Sequence, residues 1–134
     1  MLRYHRCLLS ILIGAAVSLT AAAQALSFDD VEFCVAARQL AIAVNKDVDV
    51  WLDRTTRNDG VAVSCDRRLV EFKRFVSARA AAIDSSWNER RTNEWNATHC
   101  ENPIWAEAIR NGWTIAAAFA ASDGTRVSIR AQCN

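Results

Sequence analysis

The stretch Val61-Ala62-Val63-Ser64-Cys65-Asp66-Arg67-Arg68-Leu69-Val70-Glu71-Phe72-Lys73-Arg74-Phe75-Val76 decides how the chain is to be read. Val61, Val63 and Cys65 alternate with Ala62, Ser64 and Asp66; beyond Arg67-Arg68 a second run places Val70, Phe72, Arg74 and Val76 at every other position. Successive side chains of a strand point to opposite faces, so a period of two marks two half-buried strands. The charged residues between them mark the tip of a hairpin. One face of that hairpin needs covering, and the flanking sequence supplies the elements.

Upstream, the stretch 54–60 has turn composition and ends in Asp59-Gly60, which predicts a reversal before Val61. Before it, Val48, Val50 and Leu52 alternate with Asp47, Asp49, Trp51 and Asp53, which predicts a further strand over 47–53. Earlier still, Phe33, Ala37, Leu40 and Val44 recur at four, three and four residues, the spacing of one helix face. With Ser27 as N-cap and Asp30 in the first turn, this predicts a helix over 28–45. Downstream of Ser77 the β-branched residues thin out, and Ala80, Ile83 and Trp87 take core spacing on a helix reaching about Glu94. Asn102-Pro103 is a start signal and Gly112 a stop, so a short helix over 103–111 follows. The runs 113–121 and 125–133 flank Ser122-Asp123-Gly124 as a closing hairpin, with Trp113, Ile115 and Phe119 facing one way and Val127 and Ile129 on the partner strand. The order α-β-β-β-α-α-β-β predicts an α+β fold, an antiparallel sheet of about five strands with helices packed on one face.

Composition sets the outer bounds. The 134 residues are 51% hydrophobic and 23% charged, which is globular and excludes disordered or collagen-like classes. At this length a single domain is expected. A formal charge of +1 argues against a nucleic-acid binder driven by phosphate contacts.

At the N-terminus, Arg3, His5 and Arg6 precede a mainly apolar run from Cys7 to Leu19 and then small residues to Ala25. This is the order of a secretory signal peptide, expected to occupy 1–25 and leave a domain of 26–134. The apolar run is shorter than the ~20 residues a spanning helix needs, so no membrane span is expected after cleavage. Cys7 lies at the beginning of the run, whereas a lipoprotein needs its cysteine at the end. Loss of Arg3 and Arg6 turns the formal charge into about −1. His99 is then the one remaining histidine, and Cys34, Cys65, Cys100 and Cys133 remain, an even number in an oxidising compartment. Two disulfides are expected. Of the three possible connectivities, Cys34–Cys65 with Cys100–Cys133 gives each half of the chain its own bridge. No pair of these cysteines has C-x-x-C spacing, which counts against a zinc site.

Candidate functional residues are few. Asn45, Asp47 and Asp49 mimic the opening of a calcium loop, but Val50 and Thr56 stand where that loop requires Gly and Glu. His99 lies beside Cys100 with no serine nucleophile elbow. Of five tryptophans, Trp87 and Trp95 bracket Arg91 at i, i+4 and i+8 on the second helix, and Trp51 lies on the acidic side of its strand. Aromatic rings beside arginine are what binding hot spots use, so Trp87, Arg91, Trp95 and Trp51 are the candidate binding residues.

The segments Cys100-Glu101-Asn102-Pro103, Ile109-Arg110-Asn111-Gly112-Trp113-Thr114-Ile115, Asp123-Gly124 and the terminal Cys133 together resemble small exported proteobacterial proteins of unknown function, in which a Cys precedes a short helix, a Gly opens a hairpin and a final Cys closes it. Thr56-Arg57 after a Val-Asp-Val strand is similar as well. The resemblance implies a periplasmic α+β domain with a Cys100–Cys133 bridge, and no activity. The expectation is therefore a periplasmic or secreted, non-catalytic domain that binds a protein or envelope partner, in its sharper form an inhibitor or immunity-type protein, with no cofactor. The alternative is a small secreted hydrolase using His99 with Glu94 or Glu101. N-terminal sequencing of exported material should begin at Leu26, or at Gln24 if the neighbouring A-x-A site is used, and retention of the full chain in the cytosol would overturn the compartment assignment.

Overall fold

The computed structural model of the chain describes residues 27–78 and 82–134; the expected signal segment 1–25, and Ala80 of the second helical pattern, lie outside the described residues. Seven elements follow in the order α1 (Asp30–Asn45), β1 (Thr56–Ser64), β2 (Leu69–Val76), α2 (Ser85–Cys100), α3 (Pro103–Arg110), β3 (Thr114–Ala121) and β4 (Arg126–Arg130). The strands form one mixed sheet in the order β1-β2-β3-β4, in which β1 with β2 and β3 with β4 are antiparallel and β2 with β3 is parallel. The fold is α+β, as the sequence predicts, but the sheet differs from the expected five antiparallel strands in two ways.

The expected strand over 47–53 is a series of turns joined to β1 by a single bridge, Trp51 to Arg57. Asp49 takes φ 71°, which ends any extended run, and Val48, Val50, Trp51 and Leu52 are all exposed. The period of two here is carried by residues that do not divide between a wet and a dry face. The second difference is the parallel pair. β2 and β3 are joined through α2 and α3, a crossover that returns the chain to the end from which β2 began. β3 (Thr-Ile-Ala-Ala-Ala-Phe-Ala-Ala) is paired on both sides, and Ile115, Ala116 and Ala117 are buried in succession. That unbroken burial is how a central strand reads.

Smaller shifts have local causes. Asp29, not Ser27, caps α1, accepting from the N–H groups of Val31 and Glu32 at 2.8 and 2.9 Å. α2 starts at Ser85, several residues later than expected, because Asp84 accepts the N–H of Trp87 at 2.9 Å and fixes the first turn there. α3 has the Asn102 cap and Pro start expected of it. β1 begins at Thr56, inside the expected turn, with a bulge between Asn58 and Val61. Gly60 sits in that bulge at φ 103°, and a Cβ there would come within 2.8 Å of Asn45 Oδ1, so no other residue fits.

The three helices pack on one face of the sheet. α1 lays Phe33, Cys34, Ala37 and Ala41 on Val61 and Val70, joined by Trp113 and Ile115; α2 covers Val76, Ala117, Phe119 and Ile129 with Trp87. Each half carries its own disulfide, Cys34–Cys65 from α1 to the end of β1 (Cα–Cα 5.8 Å) and Cys100–Cys133 from the end of α2 to the end of the chain (5.3 Å). A loop of this size is worth roughly 3.5–4 kcal/mol on chain-entropy grounds.

The corner where α1, the 47–53 loop and β1 meet is held by two asparagines. Asn58, 2% exposed, donates from Nδ2 to the carbonyls of Val44 (3.0 Å) and Asp47 (2.8 Å), while its Oδ1 accepts from Gly60 N (3.1 Å) and Arg74 Nη1 (2.7 Å). Asn45 grips Val61 through both its N–H and its carbonyl. Truncating Asn58 leaves several of these groups buried without partners, each at about 1–3 kcal/mol. Asn58→Ala should therefore lower unfolding free energy by about 3 kcal/mol in urea titration; a loss below about 1 kcal/mol would show that water replaces the side chain.

Candidate functional site

The helical spacing of Trp87, Arg91 and Trp95 is real, but the stripe faces the sheet and not solvent. Trp87 is 8% exposed and stands edge-on to Phe119, with ring centroids 5.1 Å apart. Trp95 is half-buried against Phe72 and donates its indole N–H to the carbonyl of Ile115 at 3.1 Å. Arg91 lies between them, its guanidinium 5.6 Å from the Trp87 ring and within ion-pair reach of Glu94 (3.2 Å) and Asp53 (3.8 Å). An inward stripe follows from the sheet, whose face beneath α2 would otherwise leave Phe119 and Ile129 wet. Trp51 stands apart from the other three: it is 49% exposed and edge-on to Phe75, on the sheet face opposite α2.

His99 is 4% exposed and enclosed by the rings of Trp95, Trp105 and Phe72 at 4.0, 5.5 and 5.9 Å. Its Nδ1 lies 2.9 Å from the carbonyl of Trp95, one turn back on α2. A carbonyl only accepts, so Nδ1 carries a proton and donates it to that carbonyl. Burial pushes its pKa below the ordinary value of 6.5, and the bond to Trp95 offsets part of that. Among the described residues no carboxylate forms an ion pair with His99, so neither Glu94 nor Glu101 is placed to orient it as a base. No group of three or more His, Cys, Asp or Glu among the described residues is arranged to hold a metal ion.

A surface that the sequence reading passed over lies between α1 and α3. Phe28, Phe33 and Ala36 from one side and Pro103 and Ile104 from the other line a groove of about 410 Å³ whose rim carries Asp29, Glu32 and Glu107. Leu40 and Trp105 extend the same apolar floor along α1. Ile104 is 65% exposed at its edge. Phe33 of α1 and Trp105 of α3 meet edge-on beside the groove, with ring centroids 5.7 Å apart.

Neither a protein-family model nor a curated protein matches the sequence. Solved structures do share the fold. A Pseudomonas aeruginosa protein described as secreted superposes with a TM-score of 0.60 at 14% identity, over 79% of this chain and 94% of its own. The pilotin of the Vibrio vulnificus type 2 secretion system, EpsS, superposes with a TM-score of 0.56 at 12% identity, over 77% of this chain and 90% of its own. At such identities the likeness is one of fold. Among the described residues no helix is long and apolar enough to cross a membrane.

The buried imidazole has a consequence for stability. Between the lowered folded value and 6.5 the unfolded chain binds a proton that the folded chain does not, so stability falls as pH drops through that window and levels off below it. Melting temperature should decline on acidification from about pH 7.5 to about 5.5, and His99→Gln, which keeps a donor but does not titrate, should flatten that slope. An unchanged slope in the variant would show that His99 is solvated.

Proposed function

We propose that the chain is a non-catalytic domain exported to the cell envelope, where the groove between α1 and α3 receives an amphipathic, basic segment of a protein partner. The observation that carries this reading is the groove itself: an apolar floor left open to water beside a rim of three carboxylates, Asp29, Glu32 and Glu107. Exposed apolar concavities rimmed by charge are what partner segments fill, and carboxylates on the rim select lysine or arginine beside the apolar anchor. Export is supported by the pairing of all four cysteines of the domain, since disulfides persist in oxidising compartments. The fold shared with a secreted protein and with a type 2 secretion pilotin agrees with that location and with a partner-binding role, by analogy of fold. The hydrolase alternative loses support, because His99 is closed in by three aromatic rings and, among the described residues, forms no ion pair with a carboxylate.

A photo-crosslinking residue placed at Ile104 in cells should yield one discrete adduct whose crosslinked peptide is apolar with flanking basic residues. Glu32→Lys should reduce that adduct at least fivefold while leaving stability within about 0.5 kcal/mol, as surface substitutions do. A crosslinker at Ser128, on the opposite face of the sheet, should give none. Equal labelling from both positions, or insensitivity to Glu32→Lys, would overturn the reading.

A further inference from the structure

Arg74 occupies a position that strand physics gives to an apolar residue. It falls between Phe72 and Val76 in the alternation of β2, on the face covered by the helices, opposite the buried Asn58. Inward charges on edge strands guard against stray pairing, but β2 is paired on both sides and has no edge to guard. Among the described residues Arg74 forms no ion pair: its Nη1 donates to Asn58 Oδ1 (2.7 Å) and to the carbonyl of Lys73 (3.0 Å), both neutral. Its guanidinium also stands 5.4 Å from the Phe72 ring. Burial pushes its pKa down, and the charge of Asp59 raises it in part. A guanidinium keeps its charge throughout, so the cation is held partly out of water with only neutral acceptors in direct contact.

The side chain opens into a cavity of about 240 Å³ between α2 and the sheet. Arg91 shares that cavity and reaches Thr56 Oγ1 at 3.3 Å, while its Nε is buried without an acceptor. Asp53 and Glu94 pair with Arg91, whereas Arg74 has no carboxylate within ion-pair distance among the described residues, Asp59 acting on it only at longer range. Asp53 and Glu94 line the cavity on the Arg91 side, and its apolar wall is made by Leu52, Trp95, Phe119 and Ile129.

We infer that this cavity is a binding site for a small organic carboxylate, whose oxygens pair with the Arg74 guanidinium and whose carbon body lies against Trp95, Phe119 and Ile129. A guanidinium fork matches a carboxylate in two parallel hydrogen bonds, and the apolar wall favours a carbon-bearing anion over an inorganic one. The site is separate from the α1–α3 groove and stands or falls independently of it.

The test is a titration of the folded, disulfide-bonded domain with isovalerate at constant ionic strength, followed by the indole N–H of Trp95 and the guanidinium Nε–H of Arg91 in NMR spectra. Saturable shifts at both groups are expected, with affinity reduced at least tenfold in Arg74→Gln, which retains a donor for Asn58. Arg91→Gln, expected to weaken binding as well, serves if Arg74→Gln does not fold. Saturation by inorganic phosphate with no response to isovalerate would overturn the carboxylate assignment, and linear, unsaturable shifts with both anions would overturn the site.

Discussion

The buried amide of Asn58 is the contact on which the arrangement of the N-terminal half depends. A carboxamide has two donors and two acceptor lone pairs, and here each end is engaged twice, by four different stretches of chain. The last turn of α1, the loop behind it, the bulge of β1 and the middle of β2 thus converge on one side chain. No apolar residue could do this, because each of those backbone groups would be buried without a partner. The bulge then requires Gly60, and the loop is drawn along the free side of β1, where Asp49 N donates to Asn58 O and Asn58 N to Val50 O, both at 2.8 Å. What the sequence pattern shows as a fifth strand is a loop held against an edge.

Asn58 also explains how Arg74 is tolerated facing the helices. Its carbonyl supplies the guanidinium with one acceptor, and the Phe72 ring supplies a polarisable neighbour. This satisfies geometry without neutralising charge. The region beneath α2 is accordingly not a plain hydrophobic layer. Towards Trp87 it is packed ring against ring, and towards Thr56 it is polar and partly open. The opposite end of the helical layer differs again, with α1 and α3 in contact through Phe33 and Trp105.

Much of this architecture was legible in the sequence, for identifiable reasons. The hairpin around Arg67-Arg68, the helix opened by Asn102-Pro103 and the pairing of four cysteines into two local bridges rest on short-range rules of periodicity, capping and chain separation, and the structure has all three. The parallel β2–β3 pair was not legible from periodicity, because strand direction is set by the path of two intervening helices; the run Ile115-Ala116-Ala117 was its one local trace. For the candidate site, spacing correctly put Trp87, Arg91 and Trp95 on one helix face. It could not say which face meets the sheet, since α2 is polar nearly all round and only its tertiary partners, Phe119 and Ile129, orient it. The α1–α3 groove is a property of two helices at once and has no signature in either alone.

The two bridges, closing spans of 31 and 33 residues, do not overlap along the chain. A polypeptide that emerges N-terminus first, from ribosome or translocation channel, therefore presents Cys34 and Cys65 together before Cys100 has appeared. With two cysteines in view there is a single way to join them, so the first oxidation needs no proofreading. The second pair then meets in a chain whose earlier thiols are already consumed. Of the three pairings open to four free thiols, the order of emergence favours the native one, and the parallel β2–β3 pairing is left as the step that unites two locally crosslinked halves.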